Sequence, residues 1–147
     1  ADVRAHAHAD IGASIASGTA LRRGMVILPC SMGTVGRIAS GLSSNLIERA
    51  ADVCLKEGRR LVVCPRETPL SLIHLRQLTS LAEAGARILP CMPGFYRRPD
   101  GIDELLDHVV GKVLDAFDID HKVAAPWDGK APGGGEAGVP SRAPGSF

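Results

Sequence analysis

Three short apolar runs alternate with helical patterns along the first 120 residues of the chain. The runs lie at residues 25–29, 61–64 and 87–90, and none shows polar alternation. Continuous apolar runs of this length are typical of parallel strands that are covered on both faces. The pattern therefore predicts three buried parallel strands.

Each strand is followed by a segment with helical periodicity. Helix starts and glycine stops can be read from the residues that favour them. The starts are predicted near Thr34, after Asn45, at Thr68 and Pro69, and near Asp100, and the left-handed stops at Gly58 and Gly85.

Three of these helices carry an apolar stripe that we expect to face the sheet. In the second helix it is formed by Leu46, Ile47, Ala50, Val53 and Cys54. In the third it is formed by Leu72, Leu75, Leu78 and Ala82. In the fourth it is formed by Leu106, Val109, Val110, Val113, Leu114 and Phe117.

Strands that alternate with helices imply a parallel sheet with right-handed crossovers. The predicted fold class is α/β, with a three-layer Rossmann-like or flavodoxin-like sheet and helices on both faces. Three strands are few for this architecture. Residues before Gly24 contain no strong strand, so the first strand or strands are expected to be missing. Residues 1–120 form the predicted domain, and the Gly/Pro-rich residues 121–147 a flexible tail.

Composition excludes several classes of function. A formal net charge of +1 and 3% aromatic residues argue against nucleic acid as a partner. No apolar run reaches the length of a membrane span, and a cytoplasmic protein is expected. The four cysteines form no C-x-x-C pair and are predicted to be buried thiols of a reducing compartment. His6 and His8 lack companion ligands, so no metal is expected.

Chemistry-bearing side chains follow the predicted strands, where open α/β sheets bind ligands. Ser31 and Thr34 suit a phosphate or a flavin edge, and plain helix capping is the alternative. Arg66 can bind a phosphate or a flavin carbonyl, and Glu67 can move a proton, with a surface ion pair as the alternative. Tyr96 can donate to a phosphate or simply pack in its loop.

Several segments closely resemble the UbiX flavin prenyltransferases. They are PCSMGT at 29–34, NLIERAADVCLKE at 45–57, the stretch beginning PRETPL at 65–86 and MPGFYRRP at 92–99, with further agreement at 15–19 and 107–120. The resemblance implies a dodecamer with active sites at subunit contacts. It implies transfer of a dimethylallyl group from dimethylallyl phosphate to reduced FMN, without metal. The prenylated product would serve a UbiD-type decarboxylase as partner.

The resemblance also implies roles for individual residues. FMN would be lined by Ser31, Met32, Gly33 and Thr34 and contacted by Arg66. Dimethylallyl phosphate would be held by Tyr96, Lys112, Arg49 and Lys56, the last two on one helical face and available to a neighbouring subunit. Glu67 and Lys56 would act in catalysis. Ser17 and Thr19 match a family turn, and Trp127 a tail tryptophan.

One departure from the family is expected to matter. Its members begin with a strand and a Gly-Ala-Ser-Gly turn that this sequence lacks, so a unit of about 30 residues or more is expected to be missing before Ala1. Two alternatives remain: a flavin-dependent cysteine decarboxylase of the same superfamily, and an inactive subunit that only oligomerises. The PRETPL block and the Tyr96–Lys112 pair favour the prenyltransferase.

Overall fold

A computed structural model describes residues 3–18, 23–95 and 99–123. Its described part contains a parallel sheet of strands β1 (Gly24–Cys30), β2 (Arg60–Pro65) and β3 (Arg87–Ile88), in the order β1-β2-β3. The helices are α1 (Met32–Ala39), α2 (Leu46–Lys56), α3 (Leu72–Glu83) and α4 (Ile102–Ala116), preceded by a 3-10 turn at Ser14–Ala16. The three predicted strands and the α/β class are confirmed.

The two faces of β2 are covered by different helices. Leu61 and Val63 point into a core built with α1, α2 and α3. Val62 and Cys64 point to the opposite face, where they pack against Val113 and Ala116 of α4. This alternation of side chains along one strand produces the predicted layers. No helix in the described ranges is both long and apolar enough to cross a membrane.

Local capping sets where the helices begin and end. Ser31 and Asn45 cap α1 and α2 through their side-chain oxygens. The third helix starts after Ser71, whose hydroxyl accepts from the His74 N–H at 3.2 Å, so the predicted start at residues 68–69 was wrong. The glycine stops were predicted correctly, since Gly58 and Gly85 have φ of +62° and +99°.

Parts of the predicted apolar stripes are exposed. Leu72 and Leu75 are 61% and 47% exposed because only the C-terminal part of α3, with Leu78 and Leu81, reaches the core. Leu106 is 56% exposed, since the core contacts of α4 come from its second half. Three further stripe positions are exposed: Val110 and Ile47, each at 37%, and Ala82.

The end of α4 is fixed beside the start of β2. Arg60 donates from Nη1 to Oδ2 of Asp118 at 2.7 Å, and its guanidinium lies 5.9 Å from the ring centroid of Phe117. Gly24, the partner of Arg60 in the register, has φ +150°, and a Cβ there would lie 2.2 Å from the Arg60 carbonyl oxygen. The C-terminal end of α4 therefore lies at the amino edge of the sheet.

Candidate functional site

The carboxyl ends of β1 and β2 lie side by side. Cys30 is the register partner of Pro65, and the Arg66 N–H donates to the Cys30 carbonyl at 3.3 Å. Ser31 and Arg66 each follow directly on these strand ends. Since ligands of open α/β sheets bind outside the carboxyl ends of the strands, these residues form the candidate site.

The turn after β1 is organised by two hydroxyls. Ser31 Oγ accepts from the Thr34 N–H at 3.2 Å and lies 3.1 Å from Thr34 Oγ1. Helix capping, the alternative considered for this turn, is thus real, but Ser31 and Gly33 remain exposed. The Met32 side chain is 5% exposed and belongs to the core, which leaves only its backbone for a ligand.

The turn after β2 presents two charged side chains to solvent. Arg66 and Glu67 are exposed, and Glu67 Oε1 accepts from the Thr68 N–H at 3.1 Å. Within the described ranges neither side chain takes part in an ion pair. The surface ion pair considered for them is therefore not formed within these ranges, and both charges are open to solvent.

Arg37 and Glu48 were not anticipated as parts of this site. The Arg37 guanidinium donates to Glu48 through Nε and to Thr34 Oγ1 through Nη2 at 3.5 Å. Its Nη1 atom lies 3.5 Å from the position of a Cβ built on Gly33. One signal was available: Glu48 stands three residues after the cap Asn45, the spacing of a capping box.

The Glu48 carboxylate is completely buried and fully engaged. Beside Arg37 it accepts from the Ser44 N–H at 2.9 Å and from Asn45 Nδ2 at 2.7 Å. Burial raises the pKa of this carboxyl, but the hydrogen bonds from Arg37, Ser44 and Asn45 and the Arg37 charge outweigh it, so the pKa is lowered overall. Glu48 is therefore ionised at neutral pH.

Arg49 and Lys56 both have ion-pair partners among the described residues. Each is paired on the surface of α2, Arg49 with Asp52 at 3.3 Å and Lys56 with Glu57 at 3.4 Å. Lys56 ends α2 shortly before β2 begins, so it lies at the amino edge of the sheet. The six residues of β2 span about 20 Å, and this length separates Lys56 from Arg66.

Lys112 is likewise paired with a carboxylate of its own helix. It is exposed on α4 and lies 3.5 Å from Asp115 Oδ2, while Asp115 Oδ1 lies 3.1 Å from His121 Nε2. The hydrogen bond with His121, followed by that with Lys112, lowers the pKa of Asp115. Lys112 precedes the end of α4 by about 6 Å, which puts it toward the amino edge.

Three residues to which the resemblance assigns a role or a family match lie outside the described residues. They are Thr19, Tyr96 and Trp127. The tail boundary at residue 121 falls just before residues 124–147, which also lie outside the description. The roles assigned to these residues and the division of the chain into domain and tail stay predictions.

The cysteines behave as structural thiols. Cys30, Cys54 and Cys64 are buried, as predicted, whereas Cys91 is only partly buried, contrary to the prediction. Burial raises the pKa of Cys30 and of Cys64 to about 11. Neither is a thiolate nucleophile near neutral pH. Across the described ranges, no three His, Cys, Asp or Glu side chains are grouped so that they could hold a metal ion.

Comparison with known sequences agrees with this geometry. The model of the Flavoprotein family matches residues 4–125. Flavin prenyltransferase UbiX of Synechocystis sp. is 57% identical over 84% of this chain. Flavin prenyltransferase LpdB of Lactiplantibacillus plantarum is 55% identical over 82% of it. The chain spans 60% and 64% of the lengths of these two curated relatives.

Solved structures agree as well. AnUbiX in complex with FMN and dimethylallyl pyrophosphate is similar with a TM-score of 0.83 and 46% identity, over 85% of this chain and 66% of that one. A dodecameric FMN-dependent UbiX-like decarboxylase from Escherichia coli O157:H7 gives a TM-score of 0.81 and 46% identity, over 84% and 66%. At these identities the likeness extends from the fold to the sequence.

Proposed function

Because this chain belongs to the Flavoprotein family, we propose that it acts as a flavin prenyltransferase. The reaction transfers a dimethylallyl group from dimethylallyl phosphate to reduced FMN. The observation that carries the proposal is the pairing of the Ser31–Thr34 turn with Arg66 at adjacent strand ends. Relatives named flavin prenyltransferases support it.

The flavin would lie against the turn that follows β1. Ser31, Gly33 and the Met32 backbone would line it, with Thr34 beside them. Arg66 would contact the flavin from the neighbouring strand end, where its guanidinium faces solvent without an ion-pair partner among the described residues. A planar guanidinium suits a carbonyl or a phosphate of this ligand.

The reaction requires positive charge near the leaving phosphate, because negative charge develops there as the bond to the allyl carbon breaks. The allylic C–O bond breaks with its electron pair leaving on phosphate, and the carbon bonds to flavin N5, whose proton is released. Lys112, Arg49, Lys56 and Tyr96 are proposed to bind that phosphate and to stabilise its charge. Glu67, exposed beside Arg66, is proposed to take part in catalysis by moving a proton, together with the positive charge of Lys56.

A complete site requires more than one protomer under this proposal. Lys56 lies about 20 Å from Arg66 along the sheet, so a neighbouring copy would supply it. A homo-oligomer is therefore part of the proposal, and the similar Escherichia coli O157:H7 structure is named as dodecameric. We also propose that the prenylated FMN is delivered to a UbiD-type decarboxylase and that the protein is cytoplasmic.

The substrate can be tested directly. The chain is incubated anaerobically with reduced FMN and either dimethylallyl phosphate or dimethylallyl pyrophosphate, and the flavin product is weighed by mass spectrometry. We expect an added C5H8 mass with the monophosphate. An unmodified flavin with both substrates would contradict the proposal. Product with dimethylallyl pyrophosphate alone would show that the pyrophosphate, which is bound in the AnUbiX structure, is the prenyl donor instead of the monophosphate.

A decarboxylase is the second candidate. One similar structure is named an FMN-dependent UbiX-like decarboxylase, and another, from Aquifex aeolicus, is named phenylacrylic acid decarboxylase at 39% identity with a TM-score of 0.77. Release of CO2 from phenylacrylic acid by the purified chain, without product from the prenyl transfer assay, would favour this candidate. The absence of CO2 release with prenyl transfer present would exclude it.

A further inference from the structure

We infer that Arg37, oriented by the buried carboxylate of Glu48, is an additional cationic contact for the flavin ligand. The inference rests on the proposed function, because the ligand is the FMN proposed for the same turn. Arg37 is not among the site residues expected from the sequence. Its position and its hydrogen bonds assign it this role.

Arg37 lies over the turn that is proposed to line the flavin. Its Nη2 donates to Thr34 Oγ1 at 3.5 Å, and the Thr34 hydroxyl is itself hydrogen-bonded to the Ser31 hydroxyl. Its Nη1 lies 3.5 Å from the position of a Cβ on Gly33. Gly33 and Arg37 are four residues apart in α1 and so occupy the same helix face. Any ligand that covers Gly33 lies within reach of this guanidinium.

Glu48 holds the guanidinium from the opposite side. The carboxylate is 0% exposed, whereas the Arg37 side chain is 45% exposed. The negative charge therefore lies in the interior and the positive charge at the surface. Because Ser44 and Asn45 also donate to Glu48, the carboxylate cannot rotate without losing hydrogen bonds, and Arg37 is kept in one orientation.

Donors remain on Arg37 for a ligand. A guanidinium has five N–H groups, of which one points to Glu48 and one to Thr34. Within the described residues the other three make no hydrogen bond. A guanidinium already fixed by its neighbours loses little conformational freedom on binding. Arg37 is therefore suited to an oxygen of the phosphate or of the isoalloxazine ring.

The test compares FMN binding among three variants by flavin fluorescence quenching at several salt concentrations. Arg37→Gln combined with Glu48→Gln removes both charges, and so avoids a buried unpaired carboxylate. We expect this pair to weaken FMN binding about tenfold and to make binding less dependent on salt. Arg37→Lys keeps the charge, so we expect the salt dependence to be retained and the loss of affinity to be smaller than that of the charge-free pair, because only the planar arrangement of donors is lost.

Glu48→Gln alone tests the positioning role. It leaves the Arg37 charge but loosens its orientation, so an affinity loss between those of the other two variants is expected. A double variant that is folded by circular dichroism and binds FMN within twofold of the parent, with unchanged salt dependence, overturns the inference. Should the double variant not fold, Glu48→Gln decides, and parental affinity overturns it. A parent that binds no FMN refutes the proposed function itself.

Discussion

Arg60 and Asp118 join the first residue of β2 to the segment that follows α4, through a hydrogen bond of 2.7 Å. This contact sets the direction of α4, whose C-terminal end lies at the amino edge of the sheet. Lys56, the last residue of α2, lies at the same amino edge, whereas Arg66 follows the carboxyl end of β2. Lys56, proposed for the phosphate, and Arg66, proposed for the flavin, thus occupy opposite edges of the sheet in one protomer.

Mixed assemblies should reveal this separation. We expect Arg66→Ala and Lys56→Ala each to abolish prenyl transfer when expressed alone. If each active site takes Arg66 from one protomer and Lys56 from another, co-expression of the two variants restores roughly a quarter of the activity, since a quarter of the sites combine two intact residues. Product formation in the co-purified mixture, normalised to total protein, is the measurement. A mixture as inactive as its components would mean that both residues act within one protomer.

The Ser31 cap is expected to affect both stability and binding. Ser31→Ala removes the acceptor for the Thr34 N–H and should cost about 1 kcal/mol of unfolding free energy. It should also weaken FMN binding several-fold, because the hydroxyl is a proposed ligand contact. Ser71→Ala, which removes the cap of α3, is the matched control, and it should match the stability loss but leave FMN affinity unchanged. Equal affinity in both variants would argue against a binding role for Ser31.

Glu48 should make the stability of the chain sensitive to acid. Its folded-state pKa is lowered below the ordinary value of 4.5, so its contribution is present above that value and is lost as pH falls through the folded pKa. Glu48→Gln should destabilise the chain by about 1–2 kcal/mol at pH 7, and the difference should shrink at pH 3. Urea unfolding at both pH values measures it, with the exposed Glu83→Gln as control. A constant difference would show that the ionised form is not the stabilising one.

Gly24 is expected to tolerate no side chain. At φ +150° a Cβ would lie 2.2 Å from the Arg60 carbonyl oxygen, which the sheet holds in place. Gly24→Ala should therefore cost about 3 kcal/mol or more, through backbone strain and overlap. Gly101→Ala, where a Cβ meets nothing within 4 Å, should be close to neutral. Thermal unfolding compares the two, and similar midpoints would contradict the strain.

The sequence predicted features that depend on local preference. The strands, the Asn45 cap and the glycine stops follow from apolar runs, side-chain capping and backbone freedom within a few residues. Exposure of Leu72 and Leu106 could not be predicted this way, because it depends on how far each helix extends over the sheet.

The candidate site was predictable in part for the same reason. Ser31 and Arg66 could be found because each follows a recognisable strand, and parallel strands end at one edge. Glu48 was missed because a buried carboxylate needs a tertiary partner, here Arg37, eleven residues earlier on another helix. The separation of Lys56 from Arg66, by contrast, follows from the predicted strand–helix–strand order, because a crossover helix ends at the amino edge of the strand that follows it.

An FMN titration of the purified chain tests whether the adjacent ends of β1 and β2 bind a flavin. Flavin fluorescence is followed for the parent, for Arg66→Ala and for Arg87→Ala, an exposed arginine at the start of β3. We expect micromolar or tighter binding by the parent and by Arg87→Ala, and at least about tenfold weaker binding by Arg66→Ala. A folded parent that does not quench the flavin, or an Arg66→Ala variant that binds as well as the parent, would contradict it.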